Sequence, residues 1–121
     1  IAECIAKKSG SLGLVTGEAI GQVASQTMES MMVTDAAVSL PVYRPLAAMD
    51  KNEVIEIARR IETYEISILP YEDCCTLFVA KHPVTKPKLQ RIKVSESILD
   101  IDQLINKAVE GAELMVITAE Q

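Results

Sequence analysis

Residues 70–78 read "PYEDCCTLF" and set two thiols side by side, Cys74 and Cys75, in a chain with three cysteines. The thiolate is the nucleophile of cysteine chemistry, and a free thiol is mostly protonated near neutrality. A reactive cysteine therefore needs an electropositive setting. Glu72 and Asp73 work against that. The strip that follows works for it: Lys81, His82, Lys86, Lys88, Arg91 and Lys93, with no acid among residues 81–93. Such a strip is either a solvated loop or a surface that meets phosphate. A cysteine pair in a proline-flanked loop points to reactivity. Cys4, in a helical stripe, reads as an inert buried residue. A metal site is not expected, because there is one His and no set of four ligands at metal spacing.

A second group lies near the start. "TGE" at 16–18 follows the apolar run "LGLV". In open α/β sheets, ligands sit beyond the carboxyl ends of strands. Gly17 there would let backbone approach a ligand closely, and the next helix could aim its N-terminal amides at an anion. A plain turn is the competing reading. Gln26 follows nine residues later on the polar side of an expected helix. Its carboxamide both donates and accepts, so it could read a base or ribose edge; taken alone it is a surface Gln.

The elements that must position these groups alternate in type. Ile1, Cys4, Ile5 and Lys8 have helical spacing, with Gly10 as the stop. The run 12–15 reads as a buried strand. A helix is expected from Gly21, with Val23, Ala24, Thr27, Met28 and Met31 on one face. "LPVYRPL" at 40–46 is a strand punctuated by prolines, and Pro45 keeps Arg44 out of helical geometry. "DKNE" at 50–53 is a capping box opening a helix with the stripe Val54, Ile57, Ala58, Ile61. "YEISIL" at 64–69 reads as strand or extended loop, and 70–95 as a long irregular stretch of the kind that is usually functional. Asp100 and Gln103 resemble another capping box, before a helix that stops at Gly111. "ELMVITA" at 113–119 is expected as a final strand. The alternation predicts an α/β fold with a mostly parallel sheet flanked by helices.

Composition sets the outer bounds. The 121 residues suffice for one compact domain or most of one. With one Phe, three Tyr and no Trp, the core must be aliphatic. The net charge of −5 argues against a generally basic nucleic-acid binder. No apolar run approaches the roughly 20 residues of a membrane span, so no membrane partner is expected. The odd cysteine count and the charged opening "IAECIAKKSG" point to a cytoplasmic setting. That opening has no Met and reads as the second half of an amphipathic helix, as if a longer protein were entered mid-domain.

Three stretches in order, "LVTGEAIGQVASQTMES", "RPLAAMDKNEVIEIARRIETYEISILPYEDCCTLF" and "KHPVTKPKL", closely resemble the tRNA 4-thiouridine synthetase family, also described as thiamine-biosynthesis sulfurtransferases. The resemblance spans nearly the whole chain. It implies an adenine-nucleotide α-hydrolase-like fold, here the carboxyl part (1–121) of a pyrophosphatase-loop ATPase domain. The activity implied is ATP-dependent sulfurtransfer to tRNA. ATP adenylates the uridine at the eighth position, a cysteine persulfide delivers sulfur, and AMP leaves. The resemblance places Gly17 and Gln26 at the nucleotide and Cys75 as the persulfide carrier. Cys74 is a candidate resolving thiol, with Cys4 as the other. Lys81, Lys86, Lys88 and Arg91 would add minor tRNA contacts. ATP with Mg2+ is the implied cofactor, neither held wholly by these residues. The implied partners are tRNA and a cysteine desulfurase, with a homodimer left open.

The chain departs from the family pattern in three places. The family's Ser-Gly-Gly-rich nucleotide loop is not in these residues, so this chain alone is expected to be inactive. The family's usual Gly before "TYEISI" is Glu62, and an "RPLIG"-like segment reads "RPLAA"; small backbone changes are expected from both. No rhodanese-like carrier lies in these residues; if Gln121 is the true end, a desulfurase is expected to load Cys75 more directly. Two other readings stay open: a different ATP-activating enzyme of the same superfamily, and a non-catalytic interaction module.

Overall fold

The structure, a computed structural model, describes residues 1–70 and 84–118. Helix α1 (Ala2–Lys8) carries Glu3 in its first turn and Lys7 and Lys8 in its last, which suits the helix dipole. It ends in a Schellman turn. The Gly10 amide donates to the Lys7 carbonyl (3.3 Å), the Ser11 amide to the Ala6 carbonyl (2.8 Å), and Gly10 takes φ +72°. The turned chain enters strand β1 (Leu14–Val15), against which α1 packs.

Strand β1 pairs in parallel with β2 (Val42–Tyr43), Leu14 opposite Val42 and Val15 opposite Tyr43. Parallel neighbours need a crossover, and helix α2 (Met28–Asp35) lies within it. The backbone continues the pairing at both ends, Leu14 N–H to the Pro41 carbonyl (2.8 Å) and Thr16 N–H to the Tyr43 carbonyl (3.0 Å). Glu3 fastens α1 to the entry of β2. Its carboxylate accepts from the Ser39 amide (2.8 Å), the Ser39 hydroxyl and the Leu40 amide (3.1 Å), and Lys7 lies 3.2 Å away. Ala6, Ala19 and Met31 form the buried apolar centre among the described residues.

Helix α3 (Lys51–Arg60) opens on the expected capping box. The Asp50 carboxylate accepts from the Asn52 and Glu53 amides, and Glu53 accepts from the Asp50 amide. Its exit is a second Schellman turn, Glu62 N–H to the Arg59 carbonyl and Thr63 N–H to the Ala58 carbonyl (2.9 Å). Glu62 stands at φ +59°, the left-handed conformation that a glycine adopts at no steric cost. Helix α4 (Tyr64–Ser67) packs on α3, with the Arg59 guanidinium 4.7 Å above the Tyr64 ring. Helices α5 (Leu89–Glu96) and α6 (Ile101–Glu110) follow. Asp100 caps α6 by accepting from the Gln103 amide (3.0 Å).

The architecture is α/β with a parallel sheet and helices, as expected, and four elements differ from the sequence reading. The helix expected from Gly21 begins at Met28. Gly21 stands at φ +77°, and Thr27 caps by accepting from the Ser30 amide (3.2 Å), so residues 21–26 form a loop. "YEISIL" is a helical turn, because the α3 exit delivers Tyr64 back onto α3. The stretch 70–95 runs into a helix, Leu89–Glu96, and 71–83 lie outside the described residues. Residues 112–118 form no strand: a strand exists only with a ladder partner, and they have none among the described residues. Leu114, Met115, Val116 and Ile117 stand exposed, Leu114 at 92%.

Candidate functional site

The two parallel strands end side by side, and each runs into a loop. Residues 16–21 follow β1 and residues 44–50 follow β2. The Ile20 amide donates to the Ala47 carbonyl (3.0 Å), and the Gln22 carboxamide reaches the Met49 carbonyl at 3.5 Å. The second loop is folded by its own turns, Ala47 N–H to the Arg44 carbonyl and Met49 N–H to the Leu46 carbonyl. Between the loops lies an open cleft of about 580 Å³. Ile20, Gly21 and Gln22 line one side; Ala47, Ala48, Met49, Asp50 and Lys51 line the other. This is the place in a parallel sheet where ligands bind.

The lining has a clear division of labour. Ile20, Ala47, Ala48 and Met49 offer apolar surface suited to a flat ring. Gln22 offers a carboxamide. Asp50 is engaged with the first amides of α3, so that helix start is already capped. Lys51 is the cation of the lining, and its side chain is exposed. Sequence reasoning missed Lys51 as a site residue. The signal was there: it follows β2 by one loop, as Gly17 and Glu18 follow β1.

A charged cluster braces the first loop. Arg44 Nε donates to Glu18 Oε2 at 2.7 Å, and Arg44 Nη2 to Asp35 Oδ1 at 2.7 Å. Thr16 Oγ1 donates to the same Glu18 oxygen at 3.0 Å. The Asp35 carboxylate, and after it Glu18, hold the Arg44 guanidinium charged even more firmly than usual.

The expected site residues divide by location. Gly17 lies in the first loop, exposed, with open space where a Cβ would stand. Gln26 is on the loop before α2 and not on a helix. Its Oε1 accepts from the Ala19 amide (3.3 Å), and its backbone carbonyl accepts from the Gly21 amide (2.8 Å). Neither Gly17 nor Gln26 lines the cleft; Gln26 holds its wall. Lys86, Lys88 and Arg91 are exposed at and before the start of α5. Their segment is tied to the α2 cap, where Thr27 Oγ1 donates to the Thr85 carbonyl at 2.7 Å. Cys4 is a free, half-buried thiol on α1. Cys74, Cys75 and Lys81 lie outside the described residues.

Comparison with known proteins gives a consistent result. The profile of the family described as "Thiamine biosynthesis protein (ThiI)" matches residues 1–101. A probable tRNA sulfurtransferase of Acetivibrio thermocellus is 67% identical over 120 residues, which is 99% of this chain and 31% of that protein. One from Agathobacter rectalis is 58% identical, with the same shares covered. A crystal structure of a 4-thiouridine synthetase–RNA complex with bound ATP superposes with a TM-score of 0.80 at 41% identity, over 91% of this chain and 29% of that one. The chain thus spans under a third of the length of these relatives.

Proposed function

This chain belongs to the thiamine biosynthesis protein (ThiI) family, and from that premise we propose that it is the carboxyl part of the ATPase domain of a tRNA sulfurtransferase. The proposed product is 4-thiouridine at the eighth position of tRNA. The observation that carries the reading is the cleft between the 16–21 and 44–50 loops, at the carboxyl ends of two parallel strands, in a chain that superposes on an ATP- and RNA-bound synthetase.

The chemistry needs an activated oxygen and a held sulfur. The C4 oxygen of uracil is a poor leaving group; attack of that oxygen on the α-phosphorus of ATP, with loss of pyrophosphate, turns it into AMP. The apolar lining takes the adenine ring and Lys51 faces the phosphates. Gly17 leaves room for close backbone approach. Mg2+ would neutralise polyphosphate charge when bound. The outer sulfur of a Cys75 persulfide attacks C4 and AMP departs. The Cys74 thiolate then attacks Cys75 Sγ, the S–S bond to the uridine-bound sulfur breaks, 4-thiouridine leaves, and the Cys74–Cys75 disulfide so formed is reopened by a cellular thiol reductant. A cysteine desulfurase reloads Cys75. Lys81, Lys86, Lys88 and Arg91 add cations for the tRNA backbone. A cytoplasmic setting suits a tRNA substrate and thiols that must be reduced, and the same persulfide could feed thiazole sulfur in thiamine synthesis.

The test is nucleoside analysis of tRNA from cells lacking the full-length protein that carries this sequence. Loss of 4-thiouridine, restored by the wild type and not by Cys75→Ala, is the expected result. Unchanged 4-thiouridine, or full rescue by Cys75→Ala, overturns the reading.

A further inference from the structure

We infer that Arg44 is a positioning residue of the nucleotide cleft, which keeps the Glu18 carboxylate neutralised and turned away from the phosphates. The inference rests on the nucleotide reading above. A polyphosphate carries several negative charges, and Glu18 stands one residue beyond Gly17 in the loop that would face it. An unpaired carboxylate in that loop would repel the ligand.

The geometry removes that repulsion. Arg44 is the residue directly after β2, so its backbone opens the second wall of the cleft while its side chain grips the first. Pro45 holds Arg44 in extended geometry, and the Ala47 amide returns to the Arg44 carbonyl. The guanidinium is spread between two carboxylates on different elements, Glu18 by Nε and Asp35 by Nη2. Its side chain is 12% exposed, so the fork is held in one orientation. Lysine would keep the charge but lose the planar fork that fixes Nε and Nη2 on two acceptors at once. Asp35 ends α2, so the same fork also fixes that helix to the loop. An ordinary structural ion pair would stabilise the fold and make no distinction between charged and uncharged ligands. A charge-masking role would distinguish them.

The experiment measures equilibrium binding of ATP and of adenosine to the full-length protein, with thermal midpoints alongside. Arg44→Gln should weaken ATP about tenfold or more and leave adenosine within about twofold, because only the phosphates feel the released carboxylate. The double variant Glu18→Gln/Arg44→Gln should recover most of the ATP affinity. Arg44→Lys keeps the positive charge without the fork and should lose less ATP affinity than Arg44→Gln, with adenosine unmoved. Equal losses for ATP and adenosine, or no loss, or no recovery in the double variant, would overturn the inference. Should Arg44→Gln fail to fold, Glu18→Gln alone carries the test. It should tighten ATP about threefold by leaving Arg44 unneutralised on that side, with adenosine unmoved, and no tightening counts against the role. Wild-type protein that binds neither ligand would bring down the nucleotide reading itself, a result distinct from the others.

Discussion

Residues 1–50 and residues 84–118 are built to different standards. In the first region the chain is stitched across long separations: Glu3 to Ser39 and Leu40, Arg44 to Glu18 and Asp35, Ile20 to Ala47. It contains the parallel pair and the buried residues Ala6, Ala19 and Met31. The second region has two helices, α6 capped by the Asp100 side chain and α5 without a side-chain cap, and its Val94, Ile98, Leu104 and Leu114 all stand exposed. Helix propensity and capping suffice for a helix; burial requires something to pack against. Among the described residues, the site-bearing region carries its own tertiary restraints, and the second region meets it at the α2 cap, where Thr27 donates to the Thr85 carbonyl.

The comparison is sharpened first by truncating one apolar side chain in each region of the 121-residue chain. Met31 is 7% exposed, and Met31→Ala should cost about 2–4 kcal/mol in denaturant unfolding. Val94 is 71% exposed, and Val94→Ala should cost under about 0.5 kcal/mol. Equal costs would erase the distinction. A smaller effect is expected within the first region. A Cβ on Gly13 would meet Tyr43 Cε2 at 2.9 Å and the Pro41 carbonyl at 3.2 Å, wedging β1 from β2. Gly13→Ala should cost about 2 kcal/mol, whereas Gly17→Ala, with open space, should change stability by under about 0.5 kcal/mol.

The two Schellman turns supply the next case. Gly10 at φ +72° ends α1 without strain, and Glu62 at φ +59° ends α3 with it. Glu62→Gly should raise stability by about 1 kcal/mol, read as a higher thermal midpoint. A fall would mean that the Glu62 side chain contributes more than its backbone costs. The smallest effect is pH-dependent. Hydrogen bonds from the Ser39 hydroxyl and amide, aided by Lys7, hold the Glu3 carboxyl down from 4.5 to about 2. A depressed carboxyl stabilises the fold above its unfolded value and loses that contribution as pH falls from about 4.5 towards 2. Glu3→Gln should flatten the acid limb of the stability curve in that window and leave its slope unchanged above it.

Much of this could be read from residue order, because local signals are strong where a side chain meets its own backbone. Asp50 with Glu53, Asp100 before α6 and Gly10 after α1 all act within a few residues. The early helix start at Gly21 was misread because Val23, Ala24, Thr27, Met28 and Met31 keep helical spacing, while the left-handed Gly21 and the Thr27 cap break the run. "YEISIL" and "ELMVITA" are short apolar runs whose state depends on partners elsewhere. Gly17 could be placed in the loop after β1 from the sequence, whereas Gln26, expected on a helix, lies in the loop before α2. The role of Gln26 in bracing Ala19 was not legible, nor was the Arg44 fork, whose partners lie 26 and 9 residues away.

The central claim, that the cleft between the 16–21 and 44–50 loops binds nucleotide, is tested most directly by photolabelling the full-length protein with azido-ATP and mapping the modified peptides. Label on peptides spanning 16–26 or 44–51, removed by excess ATP, is the predicted result. Label confined to other peptides of this chain, such as those from 84–118, or label within 16–51 that excess ATP does not displace, would contradict it.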